Sequence, residues 1–424
     1  MIVLLVGATG FIGSRLQRSF TSAGHEVRCA SRRRPSGNES RDWIELDYSR
    51  PLSAQRLHEA VVGCQVVINA VGILREDGRQ TFNALHDLGP RALFTACVAA
   101  GVPRVLQISA LGAHAEAESR YHRSKHEADR HLMEMPVDWA IVQPSLVYGA
   151  GGTSARLFGT LASLPIMALP AGGAQRVQPV HVDDLVLAIR RLAESPASLR
   201  CVLPVVGPEP MTLREFLVDL RAALGEPRAR AIAVPRALMR VAARVGDRLP
   251  GALLDSETLG MLERGNTGDA TALRQWLGRD PRPVRAFVPP AEAGMHRRDA
   301  ALAWLLPLLR IGVAAMWFIA AIVSAGLYPV AASLELLQRI GASATWAPLL
   351  LTGGVALDFA LGVLTLWPRR ARWLWSAQIA LVLVYSAIIT WKLPALWLEP
   401  FGPVAKNIPI LALLVLMRQL DRRA

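Results

Sequence analysis

A tyrosine and a lysine four residues apart are the side chains in this sequence that best suit proton transfer. They belong to the stretch Tyr121-His-Arg-Ser-Lys125, and Ser109 ends an apolar run before it. Positions i and i+4 share one helix face, and a neighbouring ammonium stabilises a phenolate and lowers its pKa. We therefore expect Tyr121 to act as general acid–base, Lys125 to activate it and Ser109 to hold a substrate oxygen. The competing interpretation is an ordinary surface pair.

The use of lysine at position 125 favours the catalytic interpretation. Arginine is used almost everywhere else, and no other lysine occurs before Lys392. A compact ammonium and a planar guanidinium differ in size and donor geometry, so the two are not interchangeable. The position is typical of a role that requires an ammonium.

A glycine-rich turn near the start of the chain predicts dinucleotide binding. The stretch Gly7-Ala-Thr-Gly10-Phe-Ile-Gly13 follows an apolar run and opens a helical pattern. Glycines allow the backbone to approach a pyrophosphate, and the helix N-terminus offers unpaired N–H groups to it. We assign cofactor contacts here to Gly7, Thr9, Gly10, Phe11, Ile12 and Gly13.

The choice between NAD and NADP depends on the end of the second predicted strand. A carboxylate at that point binds the ribose 2′-hydroxyl of NAD, but this chain has Ser31 followed by three arginines. Arginine pairs with a 2′-phosphate, so Arg32 and Arg33 favour NADP, with NAD as the second choice. Asp47 is predicted to contact the adenine end. The alternative is a solvated arginine-rich loop.

These residues need a parallel sheet to bring them together. Short apolar runs alternate with helical patterns up to about residue 143, which predicts βαβ units. The fold class is therefore α/β, a Rossmann-type doubly wound parallel sheet with a small substrate lobe from about residue 150. An all-α four-helix transmembrane domain follows. The predicted boundaries are 1–290, a linker at 291–299, and 300–424.

Four apolar segments form the predicted membrane domain, at about 301–327, 346–367, 373–397 and 404–416. The first three are long enough to span a bilayer, and the fourth is marginal. Asp358 lies within the second, and we expect it to face the bundle interior towards Gln378 or Ser386. Arginines cluster beside alternate loops, which places both chain ends in the cytoplasm; they are Arg297, Arg298, Arg369, Arg370, Arg372, Arg418, Arg422 and Arg423.

Composition excludes several other classes of protein. The net charge is +13, yet the arginines form no stripe with interleaved aromatic residues, which argues against nucleic-acid binding. The four cysteines, Cys29, Cys64, Cys97 and Cys201, lack metal-ligand spacing and do not suggest a disulfide framework. We predict no metal site. The apolar run at the N-terminus is too short for a signal peptide.

Taken together, these motifs resemble the extended or atypical type of the short-chain dehydrogenase/reductase (SDR) superfamily. GATGFIG, Ser109, YHRSK, QPSLVYG and PVHVDDL carry the resemblance over about residues 1–290. Within the superfamily, VINAVGI, ISALGA and LERGNTGDATALRQWLG are similar to the group containing the NADPH-binding accessory subunit of respiratory complex I. The remaining third resembles a DoxX-like membrane module.

The resemblance implies further site residues. Ala70, Val71 and Gly72 are expected to line the adenosine side of the cofactor. Pro144 and Ser145 are expected to border the nicotinamide. It also implies that Lys125 holds the nicotinamide ribose while Tyr121 contacts cofactor and substrate.

Three functions remain compatible with the sequence. The first is an NADP(H)-dependent oxidoreductase that acts on a carbonyl or alcohol, with the bilayer suggesting a lipid-soluble substrate. The second is a non-enzymatic, nucleotide-bound subunit, assembly factor or redox sensor of a respiratory membrane complex. The third is an epimerase or dehydratase of the nucleotide-sugar type. The predicted location is the inner membrane of a bacterium, with the nucleotide-binding domain in the cytoplasm and a membrane-complex or homo-oligomeric partner.

Overall fold

The computed structural model describes residues 1–34, 43–248, 256–367, 372–400 and 402–421. The chain divides into two compact units, Met1–Ala300 and Ala301–Ala424. Four of the arginines used to orient the membrane segments lie outside the described residues: Arg369, Arg370, Arg422 and Arg423. The orientation of the chain ends therefore stays a prediction.

The described strands all lie in the first unit. In chain order they are β1 Ile2–Val6, β2 Glu26–Ser31, β3 Trp43–Glu45, β4 Val66–Asn69, β5 Arg104–Ile108, β6 Asp138–Pro144, β7 Val147–Tyr148, β8 Ile166–Pro170, β9 Arg176–Val177, β10 Val180–His181, β11 Cys201–Val205, β12 Met211–Thr212 and β13 Arg230–Val234.

Helices cover both faces of the sheet and form the second unit. They are α1 Gly13–Ser22, α2 Ala54–Val61, α3 Gly89–Ala99, α4 Arg120–Glu134, α5 Thr153–Ser163, α6 Val182–Glu194, α7 Leu213–Ala223, α8 Arg236–Gly246, α9 Ser256–Arg264, α10 Thr271–Leu277, α11 Pro290–Ile322, α12 Val330–Arg339, α13 Ala347–Leu366, α14 Arg372–Lys392 and α15 Asn407–Leu420.

Seven parallel strands form the main sheet, which confirms the predicted Rossmann-type fold. Their order is β11-β6-β5-β4-β1-β2-β3. The chain leaves β1 in one direction across the sheet through β2 and in the other through β4. Ligands of such sheets bind at the carboxyl ends of the strands where this reversal occurs. The carboxyl ends of β1 and β4 therefore mark the expected cofactor crevice.

The sequence of β1 explains why it is central. Its residues from Val3 to Val6 are buried, and alternate side chains enter two different cores. Val3 and Leu5 pack with α1 and α6, whereas Leu4 and Val6 pack with α2 and α3. A strand covered by helices on both faces needs a continuous apolar run rather than polar–apolar alternation.

A smaller lobe follows β7, as predicted from about residue 150. Short strand pairs β8–β13 and β9–β12 lie beside α5 and α7. Its core is aromatic and aliphatic, with Phe158 and Phe216 in edge contact at a ring-centroid distance of 5.2 Å. The lobe therefore has its own apolar centre, separate from the two cores of the main sheet.

Among the residues described, three helical segments are long and apolar enough to cross a membrane, and they lie in the second unit apart from the first turns of α11. They are the helical segments Pro290–Leu327, Ala347–Leu366 and Arg372–Lys392. The fourth predicted span forms α15, whose 14 residues cover roughly 21 Å against a hydrocarbon thickness of about 30 Å. The described part of the chain thus contains three helices long enough to span a membrane and, at the fourth predicted span, a shorter apolar helix. Membrane association does not depend on this difference.

Two further details differ from the sequence prediction. Residues 291–299, predicted as a linker, are helical and belong to α11. Helix α12 occupies a stretch predicted as a loop between spans. Both segments carry charges that obscured their helical pattern, so hydropathy alone did not reveal them.

Asp358 does not meet its predicted partners. Gln378 is fully buried, accepts a hydrogen bond from Trp317 Nε1 at 2.7 Å and donates one to Thr365. Ser386 accepts a hydrogen bond from Asn407. Asp358 is half-buried, and its Oδ1 has no hydrogen-bond partner among the described residues. The interior polar positions of α14 are thus already paired with other side chains.

Candidate active site

The glycine turn after β1 has the geometry that a pyrophosphate requires. Gly7 has a φ of 88°, which favours glycine, and a Cβ there would lie 2.9 Å from the carbonyl carbon of Ala70. A Cβ on Gly13 would lie 2.1 Å from the Gly7 oxygen. Gly10 N donates to Gly7 O at 2.9 Å, and α1 begins at Gly13. Side chains would fill this cradle, so the residues present fit a dinucleotide.

The other predicted turn residues divide by role. Thr9 and Gly10 are exposed at the crevice, whereas Ile12 precedes α1 and packs into the core. The Phe11 ring supports a second glycine turn, because a Cβ on Gly152 would lie 2.8 Å from it. The Phe11 side chain therefore packs against the backbone at Gly152, and its main chain forms part of the glycine turn.

The predicted NADP-selecting residues lie at the end of β2. Arg32 and Arg33 are exposed, and the Ser31 hydroxyl donates to the Arg33 carbonyl at 2.7 Å. Burial opposes ionisation of Asp47, but hydrogen bonds from Ser49 and the charges of Arg50 and Arg32 outweigh it and lower the pKa. Arg32 is thus close enough to Asp47 for their charges to interact.

Helix α4 brings the predicted acid–base pair to the sheet. Its N-cap is Ser119, whose hydroxyl accepts a hydrogen bond from the His122 amide at 3.1 Å. The helix carries Tyr121, Lys125 and Asp129 at positions i, i+4 and i+8, which lie on one face. The spacing of the first two residues is therefore realised as predicted, and a carboxylate follows one turn later.

Lys125 lies at the carboxyl end of β4, beside the glycine turn. Its side chain is 3% exposed, and Nζ donates to Val71 O and to Ile108 O, each at 3.1 Å. A Cβ on Gly72 would lie 3.2 Å from Nζ. Of the predicted cofactor residues, Val71 and Gly72 thus lie beside the ammonium, and Ala70 lies against Gly7 of the glycine turn. Burial lowers the pKa of Lys125, and the carboxylate of Asp129 opposes that effect.

Tyr121 behaves differently from the sequence prediction. Burial, assisted by the charge of Asp129, raises its pKa to about 12, whereas we expected Lys125 to lower it. Burial away from water destabilises the phenolate, and the nearby Asp129 carboxylate destabilises it further. The predicted direction is wrong for this structure. A protonated phenol, rather than a phenolate, is the form present at neutral pH.

Ser109 is almost fully buried, and a carboxylate engages its hydroxyl. It is 3% exposed, and its hydroxyl donates a hydrogen bond to Oδ2 of Asp129, itself 1% exposed. Burial raises the pKa of Asp129, against hydrogen bonds from Ser109 and the charge of Lys125. Sequence reasoning missed Asp129. The extension of the Tyr121–Lys125 face by one more turn was the signal that could have found it.

His86 is a second buried group that the sequence did not reveal. Its Nε2 accepts a hydrogen bond from Ile73 N at 3.0 Å, so Nδ1 carries the proton and donates to Ser124 Oγ at 3.0 Å. The ring also meets Tyr121 edge-on at 5.3 Å. Burial and the charge of Lys125 lower the pKa of His86 to about 2. A neutral imidazole thus joins the loop after β4 to α4.

The position of His86 depends on an irregular helix. Residues Asn83–Leu88 form a wide, π-helical turn that leads directly into α3. Such turns frequently occur at functional sites. No regular helical periodicity predicts which side chain this segment directs inward, so His86 carried no sequence signal.

Pro144 and Ser145, predicted to border a nicotinamide, are buried at the end of β6. Pro144 O accepts a hydrogen bond from Leu111 N at 3.0 Å. The Ser145 hydroxyl donates to Gln178 O at 2.6 Å. Ser145 thus joins the end of β6 to the segment between β9 and β10 and uses its hydroxyl proton there, whereas Pro144 contacts the loop after β5. Their role towards a cofactor stays a prediction.

Comparison with protein families matches the two units to different descriptions. Residues 3–202 match the model of the NAD dependent epimerase/dehydratase family. Residues 314–415 match the model of the DoxX-like family. The two matched regions correspond to the parallel sheet with its glycine turn and to the apolar helices.

The chain is similar in sequence to three characterised proteins. The chain is 30% identical over 200 residues to a ceramide reductase of Caulobacter vibrioides, covering 46% of this chain and 62% of that protein. It is 26% identical over 263 residues to subunit 9 of the mitochondrial NADH dehydrogenase (ubiquinone) 1 alpha subcomplex of Arabidopsis thaliana, covering 56% and 64%. These matches span less than two thirds of either relative. Sterol demethylase protein B of Methylococcus capsulatus is 26% identical over 332 residues, covering 70% and 99%.

Solved structures agree on the fold. An NADPH-dependent quinone oxidoreductase from Escherichia coli, complexed with NADPH, superposes with a TM-score of 0.53 at 17% identity. The similarity covers 67% of this chain and 97% of that one. At this level of identity the likeness concerns the fold alone.

Proposed function

Because the chain joins an epimerase/SDR-type Rossmann domain to a C-terminal DoxX-like domain, we propose that it is a membrane-anchored, NADP(H)-dependent oxidoreductase. Its substrate would be a lipid-soluble molecule that carries a carbonyl or alcohol group. The observation that carries the proposal is the contact of Lys125 Nζ with Val71, which itself lies against Gly7 of the glycine turn, while Tyr121 is on the same face of α4. We place the nucleotide-binding unit at the cytoplasmic face of a bacterial inner membrane.

The cofactor would lie across the carboxyl ends of β1 and β4. Gly7, Gly10 and Gly13 would receive the pyrophosphate, with the N-terminus of α1 offering N–H groups to it. Arg32 and Arg33 would pair with a 2′-phosphate. When bound there, the nicotinamide supplies hydride transfer to or from a carbon of the substrate. The names of the similar proteins, which include an NADH dehydrogenase subunit, support a nicotinamide cofactor.

Tyr121 would pass the proton that accompanies this transfer. With a pKa near 12 the phenol is protonated at neutral pH and can donate to a carbonyl oxygen as that oxygen gains charge. Lys125 would hold the ribose and stabilise the phenolate that forms. His86 would fix the Tyr121 ring and the loop after β4 through its contacts with both.

Ser109 takes a modified role in this proposal. While Asp129 is ionised, its carboxylate accepts the hydrogen bond from the Ser109 hydroxyl. Ser109 can then only accept a hydrogen bond from a substrate hydroxyl. Protonation of Asp129 would free the serine to donate to a carbonyl. We therefore treat Ser109 and Asp129 as one unit that positions the substrate oxygen.

The similar proteins support an apolar substrate. A ceramide reductase and a sterol demethylase protein both carry lipids in their names. The three membrane-spanning helices would keep the active site near such molecules. A nucleotide-sugar substrate, as in an epimerase or dehydratase, would need no membrane anchor, so we rank it below a lipid.

A second candidate is a non-enzymatic, nucleotide-bound subunit or redox sensor of a respiratory complex. The similarity to an NADH dehydrogenase subunit favours it, as does the engagement of the Ser109 proton by Asp129. Partner proteins would then take the place of a substrate. The retained Tyr121 and Lys125 favour the enzyme.

The test is to purify the full chain from membranes, identify its bound nucleotide by mass, and follow NADPH absorbance with fractionated membrane lipids. The oxidoreductase proposal expects NADP(H) and a lipid fraction that oxidises or reduces it. Tyr121→Phe should bind nucleotide but lose turnover. A tightly bound nucleotide that no fraction turns over would favour the subunit instead.

A further inference from the structure

Helix α8 presents an apolar strip that the described residues of its unit leave exposed. Leu238, Val241 and Val245 are 60%, 54% and 52% exposed and recur at helical spacing along one face. The inward side of the helix carries the buried Ala243 and Gly246 and the partly buried Met239. Large aliphatic side chains thus point away from the domain.

Arginines border this strip along its full length. Arg236, Arg240 and Arg244 recur every four residues and are exposed. On a helical projection they lie between the buried side and the aliphatic strip. An exposed helix with aliphatic residues on one face and only positive charges next to them has the composition of an interfacial membrane helix.

We propose that α8 lies on a lipid bilayer whose surface carries anionic headgroups. The aliphatic strip would enter the boundary between headgroups and acyl chains, and the arginines would contact the headgroup phosphates. A bilayer is within reach because the same chain continues into helices long enough to span one. The strip offers no aromatic or hydrogen-bonding side chain, as a specific protein interface usually does, so lipid is the occupant that fits.

Hydrogen bonds and an ion pair connect α8 and α9 to the segments that form the candidate site. Asp247, directly after α8, accepts hydrogen bonds from Ser256 at the start of α9 at 2.9 and 2.7 Å. Arg75, in the loop after β4, donates to the Asp247 carbonyl at 2.8 Å. On the other side, Arg264 at the end of α9 pairs with Glu118, just before α4, at 3.1 Å.

The helix pair α8–α9 therefore bridges the loop after β4, which contacts Lys125 at Val71, and the segment that leads into α4, which carries both Tyr121 and Lys125. Docking of α8 would bring these segments, and with them the mouth of the site, to the lipid surface. A lipid-soluble substrate could then enter without crossing water. This consequence rests on the proposed function, whereas the contact of α8 with lipid does not.

A fluorescent label on the full-length protein tests the contact. Val241→Cys would carry an environment-sensitive label after reconstitution into vesicles of phosphatidylcholine with phosphatidylglycerol. Val62→Cys is the matched control, because Val62 is also an exposed valine, 47% accessible, before the amino end of β4. The native Cys29, Cys64 and Cys97 are buried, and Cys201 would be replaced by serine.

The expected result is a blue-shifted emission at position 241 that brominated lipid quenches at least about twofold, as for side chains at the acyl boundary. The label at position 62 should remain water-like and unquenched. Replacing Arg236, Arg240 and Arg244 together with glutamine should return the position 241 label to water, as should vesicles of phosphatidylcholine alone.

Two outcomes would overturn the proposal. A label at 241 that resembles the one at 62 would show that α8 faces water. A blue-shifted label that brominated lipid does not quench would show a protein contact, and dependence on the protein-to-lipid ratio would identify a second copy of the chain. Thermal transitions and NADPH binding, measured on the same samples, separate misfolding or failure of the proposed function from failure of the docking proposal.

Discussion

Both units of the molecule bury charged side chains, but they neutralise them in different ways. In the second unit the Arg310 guanidinium pairs directly with Asp421, and Trp375 Nε1 donates to the same carboxylate at 3.0 Å. In the first unit the Lys125 ammonium is bound by two carbonyl oxygens, while the nearby Asp129 accepts its hydrogen bond from Ser109.

The difference indicates which cluster serves chemistry. In the second unit, Arg310 and Asp421 are directly paired with each other. Arg310 also donates to the carbonyls of Thr365 and Trp367. Such a cluster fixes helices relative to one another. At the candidate site, neither charge is directly paired with the other, so a bound molecule can still change their protonation. The following four predictions test this contrast.

The largest effect on stability is expected when the ion pair between Arg310 and Asp421 is broken. Arg310→Met or Asp421→Leu alone should lower the free energy of unfolding by about 3–5 kcal/mol, because the remaining charge is buried without its partner. The double change should recover most of that loss, since two apolar side chains replace two charges. Thermal unfolding in micelles, followed by tryptophan fluorescence, measures all three. Loss of NADPH turnover in a stable double variant would contradict a purely structural role.

Tyr121→Phe should slow turnover by about two orders of magnitude, or roughly 2.7 kcal/mol, because the proton donor is removed. NADPH affinity should change little, since the ring and its contact with His86 remain. Tyr148→Phe is the matched control: Tyr148 is also buried, but it stacks on Phe287 in the lobe at 5.3 Å. Equal rates for the two variants would remove Tyr121 from the mechanism.

Arg32→Ala should erase most of a preference for NADPH over NADH. One charge-assisted pair with the 2′-phosphate contributes about 1.5–3 kcal/mol, or about ten- to a hundredfold in affinity. Added salt should weaken the preference in the unchanged protein. Arg56→Ala, an exposed arginine on α2, is the control. Equal affinities for the two nucleotides before any substitution would show that the loop does not select.

Asp129→Asn should move the basic limb of the pH–rate profile for carbonyl reduction to lower pH, by about one unit. The sign follows from the structure, because the Asp129 charge raises the pKa of Tyr121 and a neutral amide removes that contribution. Glu127→Gln, on the same helix but paired with Arg91 and Arg130, should leave the limb in place. An unchanged limb in both variants would mean that Asp129 does not act on Tyr121.

Much of the site was predictable because its signals are local. The turn from Gly7 to Gly13 requires glycine for reasons of backbone geometry, and Tyr121 and Lys125 share a face through helix periodicity alone. Strands β1 to β6 follow from apolar runs separated by helical patterns, whereas β11 lies beyond residue 143, where that pattern ends. Each of these inferences needs only residues that are close together in the chain.

What could not be predicted depends on contacts between distant segments. The hydrogen bond from Ser109 to Asp129 forms only when the end of β5 and α4 meet in space, and the burial that raises the pKa of Tyr121 likewise needs the folded chain. His86 reaches Ile73 and Ser124 through a wide helical turn that has no sequence signature. In the second unit, Gln378 and Ser386 of α14 are hydrogen-bonded to residues distant in the chain rather than to Asp358.

The scarcity of lysine makes the Lys125 ammonium observable as a single signal by nuclear magnetic resonance. Lys125, Lys392 and Lys406 are its three lysines, and only the first belongs to the nucleotide-binding unit. Incorporation of isotopically labelled lysine would therefore place a single magnetic nucleus of that kind among the first 300 residues. Its chemical shift would follow the ammonium at the carboxyl end of β4 through nucleotide binding and pH titration, without any substitution in the chain.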